Sequence, residues 1–529
     1  MFVNESLGFE EAIYVQYEEG ISDYWIKPLI ACKEGKPIGR ITNGDTVLFC
    51  CRRGEREVQL TESFVDRDFN IFPVEHFDDL QFLPLVEYHE KFAHINSIVE
   101  PIRPSVTLGK VLSEVGFKQL LITETEKESH VTFFFNGRRS KLFTGQVAKI
   151  IPSWKDFGSH PEMKSEEIGS LVVKSMDKYD FIIVNFPAGD VIGHLSDFEL
   201  KISAAEEIDI ALGKIYKEAI RLGKTLIITA DHGLMEKGKK EDGSPSVSHT
   251  TAPVPFIVVN RQFKKQNTIA DEGTLADIAP TILSFMKVEK PSEMTGSSLM
   301  ERIPDSNGVV LVILDGWGEG KNEPEVNPLE AAKIPNLDFL KENFPYTQLR
   351  ASEEAVGLPP GRSGNSETGH LTIGAGRVIE QDEVRLIKEM ENGLENNKIL
   401  KAAIRNTGSK ACTHVIGVLS EASSHGNIKE LLEMCRAART NGAEKIFVHL
   451  ILDGRSAPPR SAIDLLKKYW KDLAKYEIVT VVGRGYALDR SKDYIEKTKL
   501  VYDSLVYGTG KCFSLTKTGR KHEQENWDS

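Results

Sequence analysis

The sequence predicts an α/β protein whose central stretch is a parallel sheet covered by helices, followed by a second α/β unit. Short apolar runs at 119–123, 181–184, 225–229 and 255–259 alternate with helical patterns, as strands joined by helical crossovers do. The same alternation returns at 414–419, 445–452 and 478–482. A proline-stiffened connector at 99–104 and a second connector at 376–382 separate these stretches.

In chain order, residues 1–100 mix helical stretches with a strand at 46–51, and the central strands follow the first connector. Residues 289–308 are polar and turn-rich; the run 309–314 after them reads as one more strand of the central sheet, and it closes on Asp315-Gly316. A buried parallel strand delivers a polar side chain to its carboxyl end in this way, where a metal or phosphate binds. From Phe513 on, the sequence is polar and is expected to be a disordered tail.

Composition narrows the function. A length of 529 residues suggests two to four domains, and 40% hydrophobic content supports sizeable cores. A net charge of −12 argues against nucleic acid or an anionic membrane as the main partner, so an anionic substrate needs a local basic cluster. Six cysteines without zinc-ribbon spacing suit a reducing compartment. No signal peptide or membrane-length apolar run is visible, which makes the cytoplasm the expected location.

The chemistry collects at strand ends. Asp190 and His194 follow one strand with a spacing that faces one cation if the segment coils as a single turn. Asp231 and His232 follow the next, and His249 precedes the strand after that. With Asp315 and the hydroxyl of Ser366, in Gly364-Asn365-Ser366-Glu367-Thr368-Gly369-His370, they supply two metal sites at one rim. Ser366 is the candidate nucleophile, although a Gly-Asn-Ser-Glu turn also reads as a plain helix N-cap.

These residues, with Leu314-Asp-Gly-Trp-Gly318, Ile373-Gly-Ala-Gly-Arg377, the stretch 124–137 and Ala230-Asp-His-Gly233, resemble the cofactor-independent phosphoglycerate mutases of the alkaline phosphatase superfamily over nearly the whole chain. The resemblance implies an alkaline-phosphatase-like parallel-sheet domain with helices on both faces and a smaller α/β substrate domain. It implies interconversion of 3- and 2-phosphoglycerate through phosphoserine at Ser366, without bisphosphoglycerate. Two divalent cations are implied, Mn2+ first with Mg2+ or Zn2+ compatible, one on Asp190, His194 and His249, the other on Asp315, Ser366, Asp231 and His232. His425, Arg455, Arg484, Arg490, Arg53, Arg56 and Lys127 would bind the substrate, and a monomer is expected.

Three features depart from that family, one of them Cys51, which stands where the family has asparagine. There the Asp315 and Ser366 segments open the chain, whereas here they follow the others, so the sequence resembles a circular permutant. The old ends would be joined near 300–307 and the new ends would fall between Tyr507-Gly508 and Glu10-Glu11. The metal-binding domain then becomes continuous over 101–379, residues 1–100 plus 380–512 form the substrate domain, and 513–529 form the tail. The third departure is Ser456, where the family has an aspartate beside the glycerate hydroxyls. A metal-dependent phosphatase and a catalytically silent metal-binding relative are the alternative readings.

Overall fold

The computed structural model describes residues 7–52, 54–265, 268–406 and 411–514. They divide into two compact units, one of Ile102–Val384 and one assembled from the described chain up to Pro101 and from Arg385 onward. In chain order the strands are β1 (Leu29–Lys33), β2 (Lys36–Pro37), β3 (Thr46–Cys50) and β4 (Gln81–Pro84), then β5 (Gln119–Glu124), β6 (Gln146–Ile151), β7 (Phe181–Phe186), β8 (Thr225–Thr229), β9 (Val254–Val259), β10 (Glu272–Thr274), β11 (Val309–Leu314) and β12 (Tyr346–Arg350), and finally β13 (Thr413–Leu419), β14 (Ile446–Leu452), β15 (Glu477–Gly483) and β16 (Lys511–Ser514).

In the central unit the sheet order is β10-β12-β9-β8-β11-β7-β5-β6. All six residues of β11 are buried, as continuous Val-Val-Leu-Val-Ile-Leu requires of a strand packed on both faces. The long helix Phe198–Leu222 covers the sheet with Ala204, Ile208, Ala211, Leu212, Ile215 and Ala219 buried along one stripe. Asp197 caps its start by accepting the Glu199 and Leu200 N–H groups, and left-handed Gly223 ends it.

The sheet is not wholly parallel, contrary to the sequence reading: β9 runs antiparallel to both β8 and β12. An apolar run shows no strand direction, so the alternation could not reveal this. The reversal matters, because the start of β9 lies beside the end of β8, with Phe256 opposite Thr229. Residues just before β9, His249 among them, thereby reach the rim that the parallel strands end on.

The other unit has the order β16-β1-β15-β14-β13-β3-β4, with β2 paired to β1. Strands β15, β14, β13 and β3 run parallel. The described ends of the chain meet in this sheet: β16 pairs with β1, and the Phe9 and Phe513 ring centroids are 4.0 Å apart. The tail expected from Phe513 therefore starts later, since Phe513 and Ser514 belong to β16; residues 515–529 lie outside the described residues. The sulfurs of Cys32 and Cys512 are bonded, with 5.8 Å between their Cα atoms, against the expectation of reduced cysteines throughout. Their register partners in β1 and β16 bring them together, a long-range pairing that spacing in the sequence does not show. No helix among the described residues is long and apolar enough to cross a membrane.

Candidate metal centre

Four adjacent parallel strands of the central unit end on one rim, and each delivers a polar group there. Asp231 and His232 follow β8, Asp315 follows β11, Asp190 sits in the short helix Ala188–Gly193 after β7, and Lys127 comes from the turn after β5. Ser366 begins the helix Ser366–Ala375, whose N-cap is Asn365: its side chain accepts the Thr368 N–H. The N-cap reading and the nucleophile reading of this turn thus coincide on neighbouring residues. Its glycines let the turn approach the rim. A Cβ on Gly364 would stand 2.0 Å from the Ala351 carbonyl oxygen, and one on Gly369 would stand 2.5 Å from that of Asp231. The helix N-terminus directs its unpaired N–H groups and positive dipole end towards an anion near Ser366.

At the centre, the Lys127 ammonium donates to Asp190 Oδ2 at 2.7 Å, Asp315 Oδ1 at 2.9 Å and Ser366 Oγ at 2.6 Å. Ser366 Oγ is also 3.1 Å from Asp315 Oδ1 and from His232 Nε2. Burial alone would depress the Lys127 ammonium, but the charges of Asp315, Asp190 and Asp231 hold it above the ordinary lysine range. Burial would raise the Asp190 carboxyl, and Lys127 with hydrogen bonds from His194 and His249 holds it well below the usual range instead. His232 is pushed up to about 9, burial being outweighed by Asp231, Asp315 and Asp190. His130, behind the cluster, is pushed down to about 3 by burial and by the Lys127 charge.

The donor set fits divalent cations. His249 donates Nδ1–H to the Gly364 carbonyl at 2.9 Å, His194 to that of Val247 at 2.8 Å, and His232 faces that of Gly233 at 3.3 Å. A carbonyl only accepts, so in the neutral form each ring has its lone pair on Nε2, as a metal-ligating imidazole is held. Asp190 Oδ1 and Asp231 Oδ2 are buried with imidazole nitrogens close by, His249 Nε2 3.1 Å from the first and His370 Nδ1 3.3 Å from the second. Ligand atoms of Asp190, His232 and His249 lie within 4.8 Å of one another, as do those of Asp231, His232 and Asp315. Three carboxylates face one lysine, leaving negative charge for a cation to balance. His194 sits at the exposed edge, its Nε2 3.4 Å from Asp190 Oδ1 and 3.1 Å from His249 Nε2.

Two buried residues escaped the sequence reading. Asn185, the fifth residue of β7, donates to Asp315 Oδ2 at 2.7 Å, and His370 lies with Nδ1 2.9 Å from the Ser366 carbonyl and 3.3 Å from Asp231 Oδ2. Both sit inside regular elements, where a polar side chain reads as a strand or helix residue; one signal was the recurrence of His370 four residues after Ser366.

In the other unit the predicted basic residues follow strand ends of that sheet. Buried Arg484 follows β15 and pairs with Asp453 after β14, and buried Arg56 donates from Nη1 to the Leu488 carbonyl at 3.1 Å. His425 follows β13 and is buried, whereas Arg455, Ser456 and Arg490 are exposed. Arg53 lies outside the described residues. Lys127, expected to clamp an anionic substrate, lies in the central unit, where its ammonium contacts two carboxylates and Ser366.

The central unit is α/β with a rim of residues that could hold metal ions, and residues 31–290 match the model of the metalloenzyme superfamily. Residues 387–527 match the model described as the BPG-independent PGAM N-terminus. The chain is 38% identical over 294 residues to the 2,3-bisphosphoglycerate-independent phosphoglycerate mutase of Moorella thermoacetica, covering 55% of this chain and 56% of the relative. It is 39% identical over 298 residues to the protein of that name from Clostridioides difficile, covering 55% and 58%. Over these stretches the chain is similar to proteins named 2,3-bisphosphoglycerate-independent phosphoglycerate mutase. It matches just over half the length of these curated relatives. A crystal structure of Leishmania mexicana phosphoglycerate mutase at low cobalt concentration is 27% identical, covers 51% of this chain and 53% of that one, and has a TM-score of 0.42.

Proposed function

We propose that this chain interconverts 3-phosphoglycerate and 2-phosphoglycerate without a bisphosphoglycerate cofactor, using Ser366 as the phosphoryl acceptor. The observation that carries the reading is Ser366 Oγ at a helix N-terminus, 2.6 Å from the Lys127 ammonium and 3.1 Å from His232 Nε2 within a cation-competent cluster. The ammonium and the helix end favour the alkoxide over the hydroxyl, which makes Oγ a nucleophile. Two divalent cations, Mn2+ first with Mg2+ or Zn2+ compatible, held by Asp190, His194 and His249 and by Asp231, His232, Asp315 and Ser366, would supply electrophilic stabilisation of the phosphoryl oxygens. His425, Arg53, Arg56, Arg455, Arg484 and Arg490 would hold the substrate's anionic groups, as guanidinium forks suit carboxylate and phosphate.

The reading extends to a circularly permuted order and to a cytoplasmic monomer. Two facts support permutation: the match to a model described as an N-terminus lies at 387–527, after the superfamily match, and Phe9 packs on Phe513.

Metal-dependent phosphate release is the second reading. What favours it is Ser456, an exposed hydroxyl where a carboxylate would serve as a base. Purified protein given Mn2+ and 3-phosphoglycerate, with 2-phosphoglycerate and free phosphate followed together, separates the two. Isomer in excess of phosphate supports the proposal; phosphate alone overturns it.

A further inference from the structure

Glu57 and His425 form a buried acid–imidazole pair in the unit assembled from both ends of the chain, far apart in sequence and brought together by β3 and β13 pairing in parallel. Glu57 Oε1 lies 2.9 Å from His425 Nδ1, and Oε2 accepts the Arg56 backbone N–H at 3.0 Å. The imidazole cannot drift, because its own backbone is tied at both ends. The His425 carbonyl accepts the Arg52 N–H at 2.9 Å, and its N–H donates to Ser423 Oγ at 3.2 Å. A carboxylate only accepts, so Nδ1 carries the hydrogen and Nε2 keeps its lone pair. Nε2 has no hydrogen-bond partner among the described residues.

The groups around the pair are otherwise engaged. Asp453 has Oδ1 paired with Arg484, while Oδ2 accepts from Ser420 Oγ at 3.1 Å and from the Ser456 and Ala457 N–H groups at 3.1 and 2.9 Å. Those donors occupy its oxygens. Arg52 is paired with Glu430 at 2.8 Å, Arg56 is bound to the Leu488 carbonyl, and burial keeps Cys51 and Tyr88 protonated by pushing both groups up. Ser456 offers no charge. An oriented imidazole nitrogen remains.

We infer that Glu57 is a positioning residue that presents His425 Nε2, and that Nε2 moves the proton of the hydroxyl that gives up or receives the phosphoryl group. This rests on the isomerase reading above. Nε2 first takes up a proton from solvent, giving the imidazolium; in the first transfer the Ser366 Oγ–P bond forms, the substrate O–P bond breaks, and the departing oxygen takes that proton. In the second, the other hydroxyl forms its O–P bond, the Ser366 Oγ–P bond breaks, and that hydroxyl's proton returns to Nε2. Ser366 enters and leaves as an alkoxide beside the Lys127 ammonium, so the protons balance over the cycle.

The test compares the full-length protein with its Glu57→Gln, His425→Ala and double variants, in Mn2+. His425→Ala should lower isomerisation kcat on the order of a hundredfold, and Glu57→Gln about tenfold with a displaced acid limb of the kcat/KM profile. The double variant should be no slower than His425→Ala, because the two act as a unit. Losses should be smaller with p-nitrophenyl phosphate, whose leaving group needs no proton. A Glu57→Gln variant with the parent's kcat and pH profile, or additive losses in the double variant, overturns the inference. A parent that does not isomerise overturns the isomerase reading instead. The positioning is then judged separately on the parent, by the 15N shifts of the His425 ring: Nδ1–H is the expected tautomer, and Nε2–H contradicts it.

Discussion

Replacing Lys127 by Met removes the one ammonium at the centre of the metal-competent cluster while keeping its apolar stem. Its charge is within 2.9 Å of Asp190 and Asp315, and both carboxylates are buried. Breaking a buried ion pair by deleting one partner costs about 3–5 kcal/mol, because the remaining charge is left uncompensated. At roughly 2–4 °C per kcal/mol for a unit of this size, the metal-free variant should melt on the order of 10 °C below the parent. A divalent cation can take over the same compensation, so the deficit should shrink when Mn2+ is added. Binding at a hundred times Kd adds about 2.7 kcal/mol to either protein, and the variant should gain more because no ammonium competes for Asp190 and Asp315. Differential scanning calorimetry in chelator and in Mn2+ measures both terms. Equal melting of variant and parent in chelator, or an equal rise in Mn2+, would refute this electrostatic account.

Burial pushes the Glu124 carboxyl up to about 7 from 4.5, so the folded state keeps a proton that the unfolded chain releases first. Stability should therefore fall as pH rises from about 4.5 to 7, by at most about 3 kcal/mol, and Glu124→Gln should flatten that slope in chemical denaturation; an unchanged slope counts against it. The Cys32–Cys512 bond joins β1 to β16, and Cys32→Ser should lower stability by about 2–4 kcal/mol, with reductant doing the same to the parent and nothing further to the variant. Thiol counting on the unfolded, unreduced protein should find four free cysteines.

Strand ends were the legible part of the site. Asp190, Asp231 and Asp315 each follow a buried apolar run, and a carboxylate after such a run reads as rim chemistry from sequence alone. His249 was legible as a histidine near a strand, but its arrival at the rim depends on β9 running antiparallel. The charge state of Lys127 was hidden, because a lysine in a turn looks like a solvent-exposed cation until three aspartates surround it. Glu57 was hidden for a related reason: in Arg52-Arg-Gly-Glu-Arg-Glu57 it reads as one charge of a mixed surface run, and helix packing alone reveals its full burial. The Cys32–Cys512 pair depends on β16 closing the sheet against β1, where the polar sequence after Phe513 suggested no strand at all.

The claim on which the account turns is that Ser366 carries the phosphoryl group between the two oxygens of one glycerate. Rapid quenching of the Mn2+-loaded protein during turnover of 3-phosphoglycerate, with peptide mass spectrometry of the 366 region and 31P NMR of the mixture, tests it directly. The account predicts a transient phosphoryl group on Ser366 that decays as 2-phosphoglycerate appears, and neither signal in Ser366→Ala. Isomerisation that persists in Ser366→Ala, or turnover by the parent with Ser366 never phosphorylated, would contradict it.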